Sequence, residues 1–416
     1  MAEKDNVTKL AEKRALLRVA GGEWRGGLLA STQQQQPRAL LANALYALRE
    51  APEWRGVVGF DVFALTLTML RPPPWPSDEP VPRRWRDTDD TLTAEWLQRQ
   101  GIAVSERVAA AAVQTVANEW AFHPVQDYLT GLVWDDKNCL ESFAATYLGA
   151  ADTRYNAAVG RSIFLTGVAR IMQPGCKSDH IPILEGEQGV GKSSLLDALF
   201  SPWFSDDIAE LGSKDAQMQM AGTWCIEIAE LAGMRRADIK KVKAFASRRI
   251  DRYRPSYGRN VIEAPRQCVC IGTTNADRYL KDETGGRRFL PLQCGHVDLA
   301  GVRRDRDQLW AEAVELYRDG AQWWLDPDEL QAARVEQDER FAEDAWADDI
   351  ATLVADKDET SVGALLEQLG IPLERRGQVE MNRVAACLRA QRCWKRTKTS
   401  TRPRKWIYRR VGHWDG

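Results

Sequence analysis

Apolar positions along the chain change their spacing several times, and each change predicts a different kind of element. Leu41, Leu45 and Leu48 fall on one helical face within 37–50, whereas 57–67 alternates and predicts strands. Residues 72–82, with Pro-Pro-Pro-Trp-Pro among them, cannot form a helix interior or a central strand and predict a loop. Helical spacing returns from Thr91 to about Met172. Asp90 or Thr91 can cap a helix carrying Trp96 and Leu97, and Ser105 can cap one running through Val108, Ala112 and Val116. At Ile181 the pattern becomes apolar strands alternating with amphipathic helices until about Trp324, the signature of an α/β unit with a mainly parallel sheet.

Beyond Asp349 the chain predicts two or three helices and a hairpin. Leu365, Leu366 and Leu369 mark one helix, and Val384, Ala385 and Leu388 another. Residues 394–397 and 405–409 are strand-like flanks of a basic loop containing Pro403. That order predicts a small winged-helix-like domain. The divisions expected are therefore a mobile segment at 1–36, which holds the Gln33–Gln36 run, and a mainly helical N-terminal domain at 37–172. A P-loop core follows at 173–325, then an acidic connector at 326–348 and the basic winged-helix-like domain at 349–416.

Composition narrows the class. The 416 residues are 44% apolar, enough for several cores, and no apolar run approaches the roughly 18–20 residues of a membrane span. No secretory leader is evident, so a cytoplasmic protein is expected. The eight cysteines contain no CxxC pair and predict reduced, buried thiols. Net charge is only −2, but eleven Lys or Arg residues and no acid lie between Met381 and Arg410.

The most specific signal is Gly186-Glu187-Gln188-Gly189-Val190-Gly191-Lys192-Ser193, a full match to GxxxxGK[ST] between a predicted strand (181–185) and a helix beginning near Ser194. Gly186, Gln188, Gly189, Val190, Gly191 and Ser194 supply backbone N–H groups around a triphosphate. Lys192 neutralises the β and γ phosphates and Ser193 ligates magnesium. The implied cofactors are ATP and Mg2+.

Such a loop needs acids at the tip of a nearby buried strand. Residues 222–231 offer Glu227, assigned to magnesium through water, and Glu230, assigned to the attacking water; the two roles could be exchanged. Asn275 ends the apolar strand 268–274 and is the candidate γ-phosphate sensor. Arg287 and Arg288 follow Gly285-Gly286, and one of them, with Arg288 slightly favoured, is the candidate arginine finger reaching a neighbouring subunit's nucleotide.

Basic residues interleaved with tyrosines can track a phosphate backbone and stack on bases. Lys240, Lys243, Arg248, Arg252, Arg254, Tyr257 and Arg259 form such a stretch, and Arg392, Lys395, Arg396, Lys398 and Arg404 form a second in the C-terminal domain. His123, beside Pro124 and without a spaced carboxylate, predicts a structural hydrogen bond. The 16 tryptophans are expected mainly in cores and subunit contacts.

With these residues in hand, the chain resembles the virulence-associated protein E family of phage and mobile elements, related to superfamily three helicases and to the helicase domains of phage primases. The likeness runs from about Trp85 to Trp324. It rests on Phe122-His123-Pro124-Val125, Trp134-Asp135, Pro174-Gly175-Cys176-Lys177, the P-loop, and Trp224 through Leu231. Lys243-Ala244-Phe245, residues 251–259, Pro265-Arg266-Gln267, Thr273-Thr274-Asn275, 284–289 and 306–313 continue it. Ser256 and Gly286 depart from the family's usual residues without touching a phosphate ligand.

The resemblance implies an AAA+-like core, a homo-oligomeric ring, expected to be hexameric, and single-stranded or forked DNA as the partner. Its implied role is an ATP-dependent helicase or replication-initiation motor; the alternative is a nucleotide-gated loading factor that hydrolyses ATP without unwinding. No zinc-ligand cluster or aspartate pair marks a primase, so priming is expected from a separate replisome protein.

Overall fold

A computed structural model describes residues 24–30, 36–207, 213–234, 236–254, 260–280, 286–341, 346–391, 393–399 and 406–411. The chain forms two compact units, one of 1–275 with 288–333 and one of 276–287 with 334–416.

The first unit opens with α1 (Leu41–Glu50), β1 (Val58–Asp61), β2 (Thr66–Met69), β3 (Arg83–Arg84), α2 (Asp87–Arg99), α3 (Glu106–Glu119) and β4 (Ala121–Phe122). The strands join in the order β3-β2-β1-β4, with β4 parallel to β1 and the other pairs antiparallel. Leu48, Trp54, Leu97, Val113 and Val116 share a core here.

Next come α4 (Pro124–Gly131), α5 (Phe143–Leu148), α6 (Arg154–Met172), β5 (Ile181–Glu185), α7 (Lys192–Phe200), β6 (Phe204–Ser205), α8 (Lys214–Gln219) and β7 (Cys225–Ile228). After these lie α9 (Arg236–Ala246), the antiparallel hairpin β8 (Ile250–Tyr253) and β9 (Ile262–Pro265), β10 (Val269–Thr274), β11 (Phe289–Gln293) and α10 (Leu299–Arg318). Five strands make one parallel sheet in the order β11-β5-β10-β7-β6. Its central strands are buried along their whole length, as sheets covered by helices on both faces require.

The expected division at residue 172 is corrected by the packing. Val125, Leu129, Phe143 and Phe164 share one core with Leu184, Leu196 and Ile271, so α4 to α6 belong with the parallel sheet and the change of core falls near Trp120. Helical periodicity marks which face of a helix is apolar but not what covers it. Within this core Trp224 and Trp310 meet at 4.2 Å between ring centroids, and both contact Phe200 at the end of α7. Their indoles donate to backbone carbonyls, Trp224 to Gly167 and Trp310 to Leu199, each at 3.0 Å.

The expected acidic connector is largely helix α11 (Pro327–Glu339), with Glu329, Ala333 and Gln337 buried. Acidic composition alone suggests solvated chain, but Leu330 and Ala333 at i and i+3 give this segment a core-facing stripe.

The second unit holds α12 (Ala347–Val354), β12 (Glu359–Thr360), α13 (Val362–Gln368), α14 (Gln378–Ala390), β13 (Trp394–Lys398) and β14 (Trp406–Arg410). Its antiparallel sheet runs β12-β14-β13, packed on Ile350, Leu365, Val384 and Leu388. Among the described residues of both units, no helix is long and apolar enough to cross a membrane.

Candidate nucleotide site

Gly186 leaves the tip of β5 with φ 146° and Gly191 enters α7 with φ 102°, conformations that strain residues bearing a Cβ. A Cβ on Gly186 would also lie 2.6 Å from the Cys294 carbonyl, so glycine is required there twice over. The loop between them turns its backbone toward the N-terminus of α7, where unpaired N–H groups and the helix dipole favour an anion.

Lys192 is 7% exposed and folds back over this loop. Its ammonium donates to the carbonyls of Gly186 (2.7 Å) and Glu187 (2.8 Å) and to Asn275 Oδ1 (2.9 Å). Burial holds its pKa below the usual lysine value, the neighbouring Cys294 and Glu227 opposing that shift. Burial in turn pushes the Cys294 thiol up to about 12, the Lys192 ammonium opposing that shift.

Sheet order brings the carboxylate to the loop. β10 lies between β5 and β7, and Ile271 stands opposite Glu227. Glu227 is 3% exposed, and its Oε1 accepts from Ser193 Oγ at 2.8 Å and from Thr273 Oγ1 at 2.6 Å. Its other oxygen, Oε2, is buried and has no hydrogen-bond partner among the described residues. A buried carboxylate oxygen left bare is costly. A hydrated divalent cation beside Ser193 would supply its missing donor, so these residues fit magnesium.

Glu230 is exposed at the end of the same strand, with a left-handed backbone, φ 53°. Left-handed backbone in a non-glycine residue is uncommon and gathers at functional sites. Asn275, also exposed, meets Lys192 as described above. The sequence-predicted P-loop, Glu227 and Asn275 are therefore brought together.

The arginines and the basic stretch divide differently. Arg288 donates to the Lys243 carbonyl (2.9 Å) and Ser247 Oγ (3.1 Å), so it grips the C-terminal end of α9 in its own chain. Arg288, the slightly favoured finger candidate, is thus engaged within its own chain, and Arg287 is the exposed member of the pair. Lys243 is 7% exposed, with its ammonium 5.1 Å from the Phe289 ring centre, and cannot reach a nucleic acid. Its place on the inward face of α9 is hidden in the sequence by the run of basic neighbours.

Arg248 pairs with Asp251 (3.1 Å), and exposed Arg252 pairs with Glu263 across the hairpin. Lys240 and Arg254 are exposed. Tyr257, Arg259, Arg392 and Arg404 lie outside the described residues. Lys395, Arg396 and Lys398 are exposed on β13, with Arg396 and Lys398 over the Trp406 ring at 4.2 and 4.8 Å.

Sequence reasoning missed the residues that fix the hairpin. Arg266 makes a bidentate pair with Asp251 (2.8 and 2.9 Å), and both are buried. Arg266 also donates to the Phe245 carbonyl and stacks 4.3 Å over that ring. Arg249 in turn donates to the Gly175 carbonyl at 2.7 Å. The blocks at 174–177, 243–245 and 265–267 thus meet at one place, the junction of α9 with the hairpin. His123 has the expected structural role: Nδ1 accepts from the Gln126 N–H (3.1 Å), and Nε2 lies 2.6 Å from Gln267 Oε1.

The virulence-associated protein E-like domain matches residues 129–342, just over half of the 416-residue chain. The chain belongs to that family. The match begins within α4, and it contains every residue of the candidate nucleotide site of this VapE-like chain. No curated protein matches it. Among solved structures, the apo NrS-1 C-terminal region (305–718) is 13% identical, covering 85% of this chain and 96% of that one at a TM-score of 0.43. An A form of the same region gives 13% identity, the same coverage and 0.44. Likeness at this level carries no weight for site or activity.

A cavity of about 490 Å3 lies elsewhere, at the starting ends of β5 and β10, lined by Thr166, His180, Pro182, Val269 and Trp324. It is distinct from the P-loop, which lies at the opposite ends of the strands.

Proposed function

We propose that this VapE-like chain binds ATP with Mg2+ at the P-loop, hydrolyses it, and uses the cycle to move along DNA as a ring-forming helicase or replication-initiation motor. The observation that carries the reading is the Glu227 carboxylate, tied through Oε1 to Ser193 and bare at Oε2. A sensor strand lying between the P-loop strand and the acidic strand supports an AAA+-like core.

Lys192 exchanges its bonds to the Gly186 and Glu187 carbonyls for phosphate oxygens while its contact with Asn275 keeps it aimed at the loop. Ser193 and Glu227 would hold the cation, through the hydroxyl and through water, and Glu230 would orient and polarise the attacking water. Bound Mg2+ supplies charge neutralisation on the phosphates. Arg287 is the finger candidate, acting across a subunit boundary in a hexamer.

DNA contacts fall to Lys240, Arg252 and Arg254 at α9 and the hairpin, to Tyr257 and Arg259 of the same basic stretch of sequence, and to Lys395, Arg396 and Lys398 in the C-terminal unit. The helix–strand–helix–helix–hairpin order of that unit supports a winged-helix-like DNA-binding domain. The deciding experiment measures ATP turnover and strand displacement on a forked duplex for the wild type and Lys192→Ala. Both activities are expected in the wild type and neither in the variant. Equal ATP turnover by the two proteins overturns the catalytic reading, and turnover without displacement favours a loader over a helicase.

A further inference from the structure

The geometry points to Thr273 as a positioning residue that fixes which oxygen of Glu227 faces the metal. This inference rests on the nucleotide-site reading above and adds a residue to it. Side chains alternate along a strand, so Thr273 projects on the same face of β10 as Ile271, which stands opposite Glu227. Thr273 is thereby two residues further along β10 than the position opposite Glu227, toward the C-terminal ends of the strands where the P-loop lies. There it donates to Oε1 at 2.6 Å.

A carboxylate oxygen has two lone pairs, and Oε1 of Glu227 receives two donors, Thr273 and Ser193. Oε1 is filled, and Oε2 receives none. The carboxylate is loaded on one side only. Rotation about its terminal torsion would otherwise let either oxygen turn toward the cation, because that torsion is broad.

Ser193 Oγ would also ligate the cation through a lone pair, so the position of its hydroxyl would shift with metal binding and release. Thr273 is 6% exposed and has no such second duty, so it keeps Oε1 occupied through the cycle and leaves Oε2 to accept from metal-bound water. It touches neither nucleotide nor reacting atoms and acts only through Glu227.

The test is the Mg2+ midpoint for binding a fluorescent ATP analogue, measured on the full chain as wild type, Thr273→Val and Thr273→Ser. A hydrogen bond to a charged group carries enough free energy that Thr273→Val is expected to raise the midpoint roughly tenfold. Thr273→Ser, which keeps the hydroxyl, is expected to restore it, whereas a purely packing role would leave the midpoint alone.

In a Glu227→Gln background the valine change is expected to add nothing, a cycle that holds even when both single variants are weakened. Should Thr273→Val lose its cooperative melt, Thr273→Ala is measured in its place. Wild-type binding with an unshifted valine midpoint overturns the role of Thr273 and leaves the P-loop reading standing. A wild type that binds no nucleotide at any Mg2+ concentration sinks both.

Discussion

Lys192 Nζ lies 2.9 Å from Oδ1 of Asn275, so the first residue of α7 and the residue just past β10 are joined directly across the top of the parallel sheet. The contact ties the lysine proposed to bind phosphate to the candidate sensor. Asn275→Ala is expected to lower kcat about 10- to 100-fold while changing KM for ATP far less, because the amide acts on the geometry of the transferring phosphoryl group. Steady-state ATPase kinetics on single-stranded DNA check the split.

The buried ammonium also predicts a pH dependence. Because its folded pKa is below the usual lysine value, the folded chain sheds this proton before the unfolded chain does, and stability from this group rises with pH between the two values. Nucleotide affinity moves the opposite way, since phosphate binding needs the charge. Comparing the wild type with Lys192→Met by alkaline denaturation isolates the first effect, and ATP-analogue titration from pH 8 upward reads the second.

Glu230 carries its carboxylate on a left-handed backbone, a conformation glycine adopts freely. Glu230→Gly is expected to raise stability by about 0.5–1 kcal/mol while abolishing turnover. Glu230→Gln should leave ATP-analogue binding intact and slow hydrolysis by at least about a hundredfold. A glycine variant that melts earlier than the wild type would show the backbone there to be unstrained.

The buried Asp251–Arg266 pair holds the hairpin to the end of α9, and removing one partner strands the other charge. Asp251→Ala is expected to destabilise the first unit by roughly 3–5 kcal/mol in urea denaturation. The exposed Arg252–Glu263 pair on the same hairpin should contribute less than about 1 kcal/mol.

The two arginines separate by experiment as they do in space. Arg288→Ala is expected to lower the melting temperature, because the Lys243 carbonyl and Ser247 lose their donor. Arg287→Ala should leave the melt unchanged and lower ATPase activity about 10³-fold or more, with partial recovery when mixed with Lys192→Ala subunits.

Legibility in the sequence depends on where the information resides. The P-loop is legible because strand, glycine turn and helix are contiguous. Glu227 is legible because a charge inside an apolar run is too costly to bury unless a cation or donors await it. Thr273 is not, since its partner is on another strand and the contact needs the β7–β10 register. Arg288 cannot be told from Arg287 in sequence, where the two are adjacent and identical; only the end of α9 separates them. The same holds for the core boundary near Trp120, which depends on which helices share a sheet.

Trp224 and Trp310, with ring centroids 4.2 Å apart, are close enough to couple as chromophores, and the Trp310 indole is hydrogen-bonded to the last turn of the helix whose first residue is Lys192. The far end of α7 therefore carries its own optical gauge. Any tilt of that helix during turnover will register as a change in near-ultraviolet dichroism, with no added label.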